Sequence, residues 1–94
     1  MQTKSIYKVP NGKLIKIFLD YNSESNTIAS IQISGDFFAY PEESIHQLEE
    51  QLKGKQLEKN GLYDLINSFV QKNKVEFIGI NPESLTEAVM RCQL

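Results

Sequence analysis

Few side chains in this 94-residue sequence have the type and spacing to do chemistry. His46 is the one histidine and Cys92 the one cysteine, so neither has a second imidazole or thiolate with which to hold a metal ion. His46 reads as a surface or boundary residue. Cys92 falls on the apolar side of the last predicted helix, where a thiol packs as a small hydrophobe. A reactive thiolate would need a base or a cationic neighbour, and the sequence identifies none. Glu42, Glu43, Glu49 and Glu50 could suggest paired-carboxylate acid/base work, but on an exposed helix face such residues serve solubility and the helix dipole. The chain has no glycine-rich phosphate loop, no serine nucleophile elbow and no Walker-type lysine. By itself it is expected to catalyse nothing and to hold no metal or cofactor.

One segment, Ile33-Ser34-Gly35-Asp36-Phe37-Phe38-Ala39-Tyr40, combines a glycine hinge, an acid and three aromatic rings. Gly35 can supply a backbone conformation closed to other residues, and Asp36 can bond the orphan amides of a turn. One of Phe37 and Phe38 can plug the end of the core while the other faces outward as an anchor for a partner, since buried aromatics carry a large share of interface energy. Gly35, Asp36, Phe37, Phe38 and Tyr40 are therefore the candidate docking residues, and the sequence leaves open which phenylalanine does which job.

The elements that must position this segment follow from periodicity. Asn11-Gly12 lies between Ile6-Tyr7-Lys8-Val9 and Leu14-Ile15-Lys16-Ile17-Phe18-Leu19 and predicts a tight hairpin with positive φ at both central residues. Pro10 closes a short first strand at a sheet edge. Ile15, Ile17, Leu19 and Tyr21 alternate with Lys16 and Asp20, which predicts a sheet buried on one face. After the polar loop 22–26, Ala29, Ile31 and Ile33 alternate with Ser30, Gln32 and Ser34 as a third strand.

Pro41-Glu42-Glu43 predicts a helix start with proline at its first position, followed by Ile45, Leu48 and Leu52 at helical spacing and ended by Gly54. Leu62, Leu65, Ile66, Phe69 and Val70 form the stripe of a second helix, for which Asn60 is the expected cap. Val75 to Ile80 fits either a short strand or an irregular crossing of the core and is read as a connector. Asn81 caps a third helix begun by Pro82, with Leu85, Ala88, Val89 and Cys92 on one side. Three strands before three helices (β-β-β-α-α-α) predict an α+β fold, a two-layer sandwich whose three-stranded antiparallel sheet is covered on one face by helices.

The chain reads as one domain spanning residues 1–94, because a second core would not fit in this length. No apolar run approaches the roughly 18 residues of a membrane span. A net charge of −2 gives no excess of cations to displace counterions from nucleic acid. The charge is unevenly spread: residues 1–34 carry four lysines against two acids, whereas 35–52 carry five acids and no base. A lone cysteine, and an N-terminus leading into no apolar signal region, place the expected location in the cytoplasm.

Taken in order, the Lys13-to-Asp20 strand after Asn11-Gly12, Ile31-Gln32-Ile33-Ser34-Gly35-Asp36-Phe37-Phe38, Leu52-Lys53-Gly54-Lys55 and Ile78-Gly79-Ile80-Asn81-Pro82-Glu83-Ser84-Leu85 resemble the C-terminal accessory domain of lipoate-protein ligases. Gly-Asp-Phe-Phe is the most specific of these stretches. The resemblance implies the small α/β-sandwich shared with iron–sulfur scaffold proteins of the SufE/NifU type. Nothing in the chain matches the larger module that binds lipoate and ATP, or its catalytic lysine, so no active-site residue carries over. The chain is similar to the separate small subunit of two-part ligases.

That resemblance implies a non-catalytic subunit in a heterodimer with the catalytic lipoate-protein ligase subunit, required for activating lipoate to lipoyl-AMP. ATP, magnesium and lipoate would belong to the assembled ligase, and lipoyl-domain proteins would be indirect partners. A competing reading is a stand-alone scaffold or adaptor of the same fold serving another acyl ligase or cofactor-assembly system, although cluster binding takes several thiolates and the chain has one.

Overall fold

A computed structural model describes residues 1–92. It contains β1 (Gln2–Lys8), β2 (Leu14–Asn22), β3 (Thr27–Gly35), β4 (Phe38–Tyr40), α1 (Ser44–Leu52), α2 (Lys59–Lys72), β5 (Glu76–Ile78) and α3 (Pro82–Met90). β1, β2 and β3 form an antiparallel sheet in that order, and β4 pairs antiparallel with β5 in a separate two-stranded ribbon. The expected α+β class, with its three-stranded sheet and three helices, holds. The expected β-β-β-α-α-α order omits β4 and β5, which are three residues each, too short for periodicity to reveal and paired across nearly forty positions of chain.

The core is built as the alternation predicts. Ile15, Ile17, Leu19 and Tyr21 point from β2 toward the helices, where they meet buried Leu48 and Leu52 of α1, Leu62, Ile66 and Phe69 of α2, and Leu85, Ala88 and Val89 of α3. α1 packs on β3, α3 lies across β1 and β2, and α2 rests against both other helices. In β3 the inward residues are Ile28, Ile31 and Ile33, while Ala29 is exposed. Asp20 pairs with Ser30 and Tyr21 with Ile28, so Ala29 is the extra residue of a β-bulge that switches faces within the strand.

The outer edge of β3 is covered. The Ile28 amide donates to the Lys55 carbonyl (2.9 Å) and the Gly54 amide to the Ile28 carbonyl (2.7 Å), so the chain after α1 runs beside the strand's start. Further along, the Glu49 carboxylate accepts from the Ile33 amide at 2.7 Å. Both devices occupy backbone groups that would otherwise template pairing with another chain.

Local chemistry explains where the elements depart from expectation. The first strand runs seven residues and not four, because its partner β2 is long enough to pair all of it. In the first hairpin only Asn11 has positive φ (59°). The Gly12 amide donates to the Val9 carbonyl (2.8 Å) around Pro10-Asn11, placing proline where its fixed φ suits the turn, so the connection is wider than a two-residue one. Pro41 does not open α1; the peptide bond before it is cis, and the Ser44 amide donates to its carbonyl (3.0 Å) in a turn that precedes the helix. The cap of α2 is Glu58, whose carboxylate accepts from the Gly61 amide at 2.8 Å, and Asn60 sits within the first turn. α3 starts as predicted: Asn81 Oδ1 accepts from the Ser84 amide (2.7 Å) while Ser84 Oγ accepts from the Asn81 amide (2.9 Å), a reciprocal capping box.

Candidate functional site

The candidate docking segment is shaped at Gly35. Its φ is +152°, and a Cβ there would stand 2.1 Å from the Leu14 carbonyl oxygen, so the close approach of β3 to β2 excludes any larger residue. Asp36 then locks the exit: its carboxylate accepts from the Leu14 amide at 2.6 Å and its own amide donates to the Leu14 carbonyl at 3.3 Å. Asp36 was expected to bond amides of its own turn and instead bonds the neighbouring strand, a register detail that sequence does not carry.

Beyond Asp36 the side chains alternate. Phe37 is half-buried against the core, Phe38 is 59% exposed, Ala39 is half-buried and Tyr40 is 47% exposed. The partner strand completes the pattern, with Phe38 opposite Ile78 (44% exposed), Ala39 opposite half-buried Phe77, and Tyr40 opposite Glu76. Cross-strand neighbours share a face, so Phe38, Tyr40 and Ile78, with Glu76 at one corner, form one outward platform and Phe37 and Phe77 are the inward side. Ile78 is the residue the sequence reading missed. Its signal was the apolar Val75–Ile80 run, which becomes informative only once β4 is known to pair with it.

A two-stranded ribbon is marginal alone, but both strands of this one are tied to the β1–β2 hairpin at the end where Phe38 pairs with Ile78. Asp36 and Leu14 fix the start of β4, and the Lys13 amide donates to the Gly79 carbonyl (2.9 Å) just after β5. Gly79 has φ +92°, and the Lys13 side chain lies where its Cβ would be. The platform is thus held in a fixed relation to the main sheet.

The residues weighed for chemistry are accounted for elsewhere. His46 is exposed and its Nδ1 lies 3.6 Å from Glu49 Oε1. Glu50 pairs with Lys53 at 2.8 Å, and the hydrogen bond and charge of that ammonium hold its carboxyl below the usual carboxylate range. Among the described residues no three His, Cys, Asp or Glu side chains gather as a metal site, and no helix is long and apolar enough to cross a membrane. Cys92 is buried beside the Ile17 carbonyl, beyond the end of α3 and not within it.

Burial pushes the Cys92 thiol up, opposed in smaller part by the Ser5 hydroxyl. A thiol raised in the folded state contributes stability that is complete below its unfolded pKa and lost as pH rises through the folded one. Unfolding free energy is therefore expected to fall from about pH 8.5 upward, the ordinary thiol range, and the Cys92→Ala variant is expected to lose part of that slope. Denaturant titrations of both proteins between pH 7 and 10 check this; parallel curves would contradict it.

With this geometry in view, comparison with known proteins is specific. Residues 8–89 match the family described as bacterial lipoate protein ligase C-terminus. Lipoate-protein ligase A subunit 2 of Thermoplasma acidophilum is 40% identical over 83 residues, which cover 88% of this chain and 82% of that protein. Among solved structures, the fold is similar to a chain from the same organism, described in a structural analysis of an archaeal lipoylation system comprising a bi-partite lipoate protein ligase and its E2 lipoyl domain. The TM-score is 0.81 at 35% identity, covering 95% of this chain and 94% of that one.

Proposed function

Because this chain belongs to the bacterial lipoate protein ligase C-terminus family, we propose that it is the accessory subunit of a two-part ligase, docking on a separate catalytic subunit through the β4–β5 platform. The observation that carries this reading is the outward trio Phe38, Tyr40 and Ile78 on a ribbon pinned by Leu14 and Lys13. Three large apolar side chains in one exposed, preorganised patch have the character of an interface centre, where aromatic anchors dominate affinity. The family resemblance supports a ligase as the partner, as do a relative that is itself called a subunit and a solved neighbour described as bi-partite.

In the proposed reaction, a lipoate carboxylate oxygen attacks the α-phosphorus of ATP; the new O–P bond forms as the bond to pyrophosphate breaks, giving lipoyl-AMP. A lysine amine of a lipoyl domain then takes the acyl group and releases AMP. Magnesium, ATP and lipoate are held by the catalytic subunit. This chain's contribution is conformational: docked through the platform, it orders the partner's loops around two anionic reactants that need a closed, water-poor pocket with donors fixed where charge develops.

The test is complex formation. The purified chain and a separately expressed catalytic subunit, mixed in equal amounts, are expected to run as a 1:1 heterodimer in sedimentation velocity. Two independent species at micromolar concentration would refute the reading.

A further inference from the structure

The main sheet has two outer edges, and only that of β3 is covered. At β1 the Tyr21 amide donates to the Met1 carbonyl (2.9 Å) and the Val9 amide to the Lys13 carbonyl (3.0 Å), one bond at each end of an unbroken register. Bonded and unbonded positions alternate along an antiparallel ladder, so the odd-numbered residues face β2, and Gln2, Lys4, Ile6 and Lys8 aim both amide and carbonyl away from the sheet. Among the described residues no backbone group of another element pairs with those four. Their side chains are all exposed, that of Ile6 by 61%.

Such an edge is complementary to itself. A second copy laid antiparallel about a two-fold axis at Ser5 would set Lys4 opposite Ile6 and Gln2 opposite Lys8, and every outward backbone group would find a partner. A slide by two residues either way leaves groups unpaired and sets Lys4 against Lys4 or against Lys8. Even in the best register one side chain opposes closure. Diagonal neighbours on adjacent strands lie about 7–8 Å apart, so Lys4 would meet both Lys4 and Lys8 of the copy. Lys16, next to Ile6 on β2, would stand one strand further, about 10 Å away.

The nearby acids do not offset this. Asp20 lies beside Gln2 and takes the N-terminal ammonium at 3.2 Å, while Glu49 and Glu50 are on α1, beyond β3. Among the described residues Lys4 has no ion pair, whereas the Lys8 ammonium is bent back onto the Val9 and Gly12 carbonyls. A single strand edge is well under the roughly 800 Å² per partner of a stable interface, so a few like charges decide whether copies pair.

We infer that the β1 edge is a self-pairing surface and that Lys4 is the residue that holds it open, so that the chain stays single until that charge is screened or removed. The inference stands apart from the accessory-subunit reading, which concerns the β4–β5 platform.

Sedimentation velocity of the chain alone tests it. The parent is expected to be monomeric near 0.05 M salt and to self-associate near 1 M, as the screening length falls from more than about 10 Å to about 3 Å. Lys4→Thr is expected to bind a second copy at least about tenfold more tightly than the parent at low salt. Lys4→Glu is expected to reverse the salt dependence: its carboxylate would lie diagonal to Lys8 of the copy, so its dimer forms at low salt and weakens as salt rises. In each dimer the Ile6 amide is expected to exchange with deuterium at least about tenfold more slowly than in the monomer, because it would then belong to a ladder. A Lys4→Thr or Lys4→Glu chain that stays monomeric overturns the inference and places the obstruction on α3, whose end sits over this strand with the Thr3 and Ser5 hydroxyls donating to the Cys92 and Ala88 carbonyls. Dimers in which the Ile6 amide still exchanges freely would put the contact on another face, the Phe38 platform included, and overturn it too.

Discussion

Replacing Phe38 with aspartate is expected to weaken binding to the catalytic subunit about 30-fold or more, about 2 kcal/mol, while the melting temperature moves by less than about 3 °C. The ring is 59% exposed, so removing it takes little from the core, and a carboxylate on a β-ribbon facing water is tolerated. In the complex the same carboxylate would be buried without a partner, and that desolvation adds to the lost apolar contact. Phe37→Ala is the paired control. Its ring is half-buried against the core, so the loss is expected in stability, about 1–3 kcal/mol, with affinity changing only as far as folding does. Calorimetric titration and thermal melts on both variants decide the matter. Equal losses of stability with unchanged affinity in both would show that neither ring meets the partner.

Gly35→Ala is expected to cost about 3 kcal/mol, a fall of about 10–20 °C in melting temperature for a domain of this size. The added methyl would sit 2.1 Å from the Leu14 carbonyl oxygen, a backbone atom fixed by sheet pairing that cannot step aside as a side chain could. Relief requires Gly35 to leave β2, which also breaks the Asp36–Leu14 bonds that start the ribbon. The variant is therefore expected to lose subunit affinity as well, unlike Phe37→Ala. Thermal unfolding followed by circular dichroism measures the first effect, and a melting temperature within about 2 °C of the parent would contradict this account of Gly35.

The elements that sequence revealed are those whose pattern is complete within one short stretch. Ile15, Ile17, Leu19 and Tyr21 alternate, and Asn81-Pro82 carries its own start signal, so β2 and α3 were legible. What escaped depends on distant partners. Alternation places Ala29 on the face of Ile31 and Ile33 because it assumes an unbroken ladder, and the bulge opposite Asp20 and Tyr21 interrupts it. Side-chain preference points to Asn60 as the cap of α2, yet the carboxylate of Glu58 takes the Gly61 amide one turn on. The candidate docking segment stands out by composition, but its division into inward Phe37 and outward Phe38 depends on β5, whose Ile78 joins Phe38 and Tyr40 on the outer face.

The central claim is that the chain acts by shaping a partner that owns the reacting groups. Its most direct test is the rate at which the catalytic subunit, with ATP, magnesium and lipoate, forms lipoyl-AMP as this chain is titrated in. The rate is predicted to be near background without the chain, to rise to a plateau at one equivalent, and to need many more equivalents of the Phe38→Asp variant. Full-rate adenylation by the catalytic subunit alone, unchanged at every concentration of the chain, would contradict the claim.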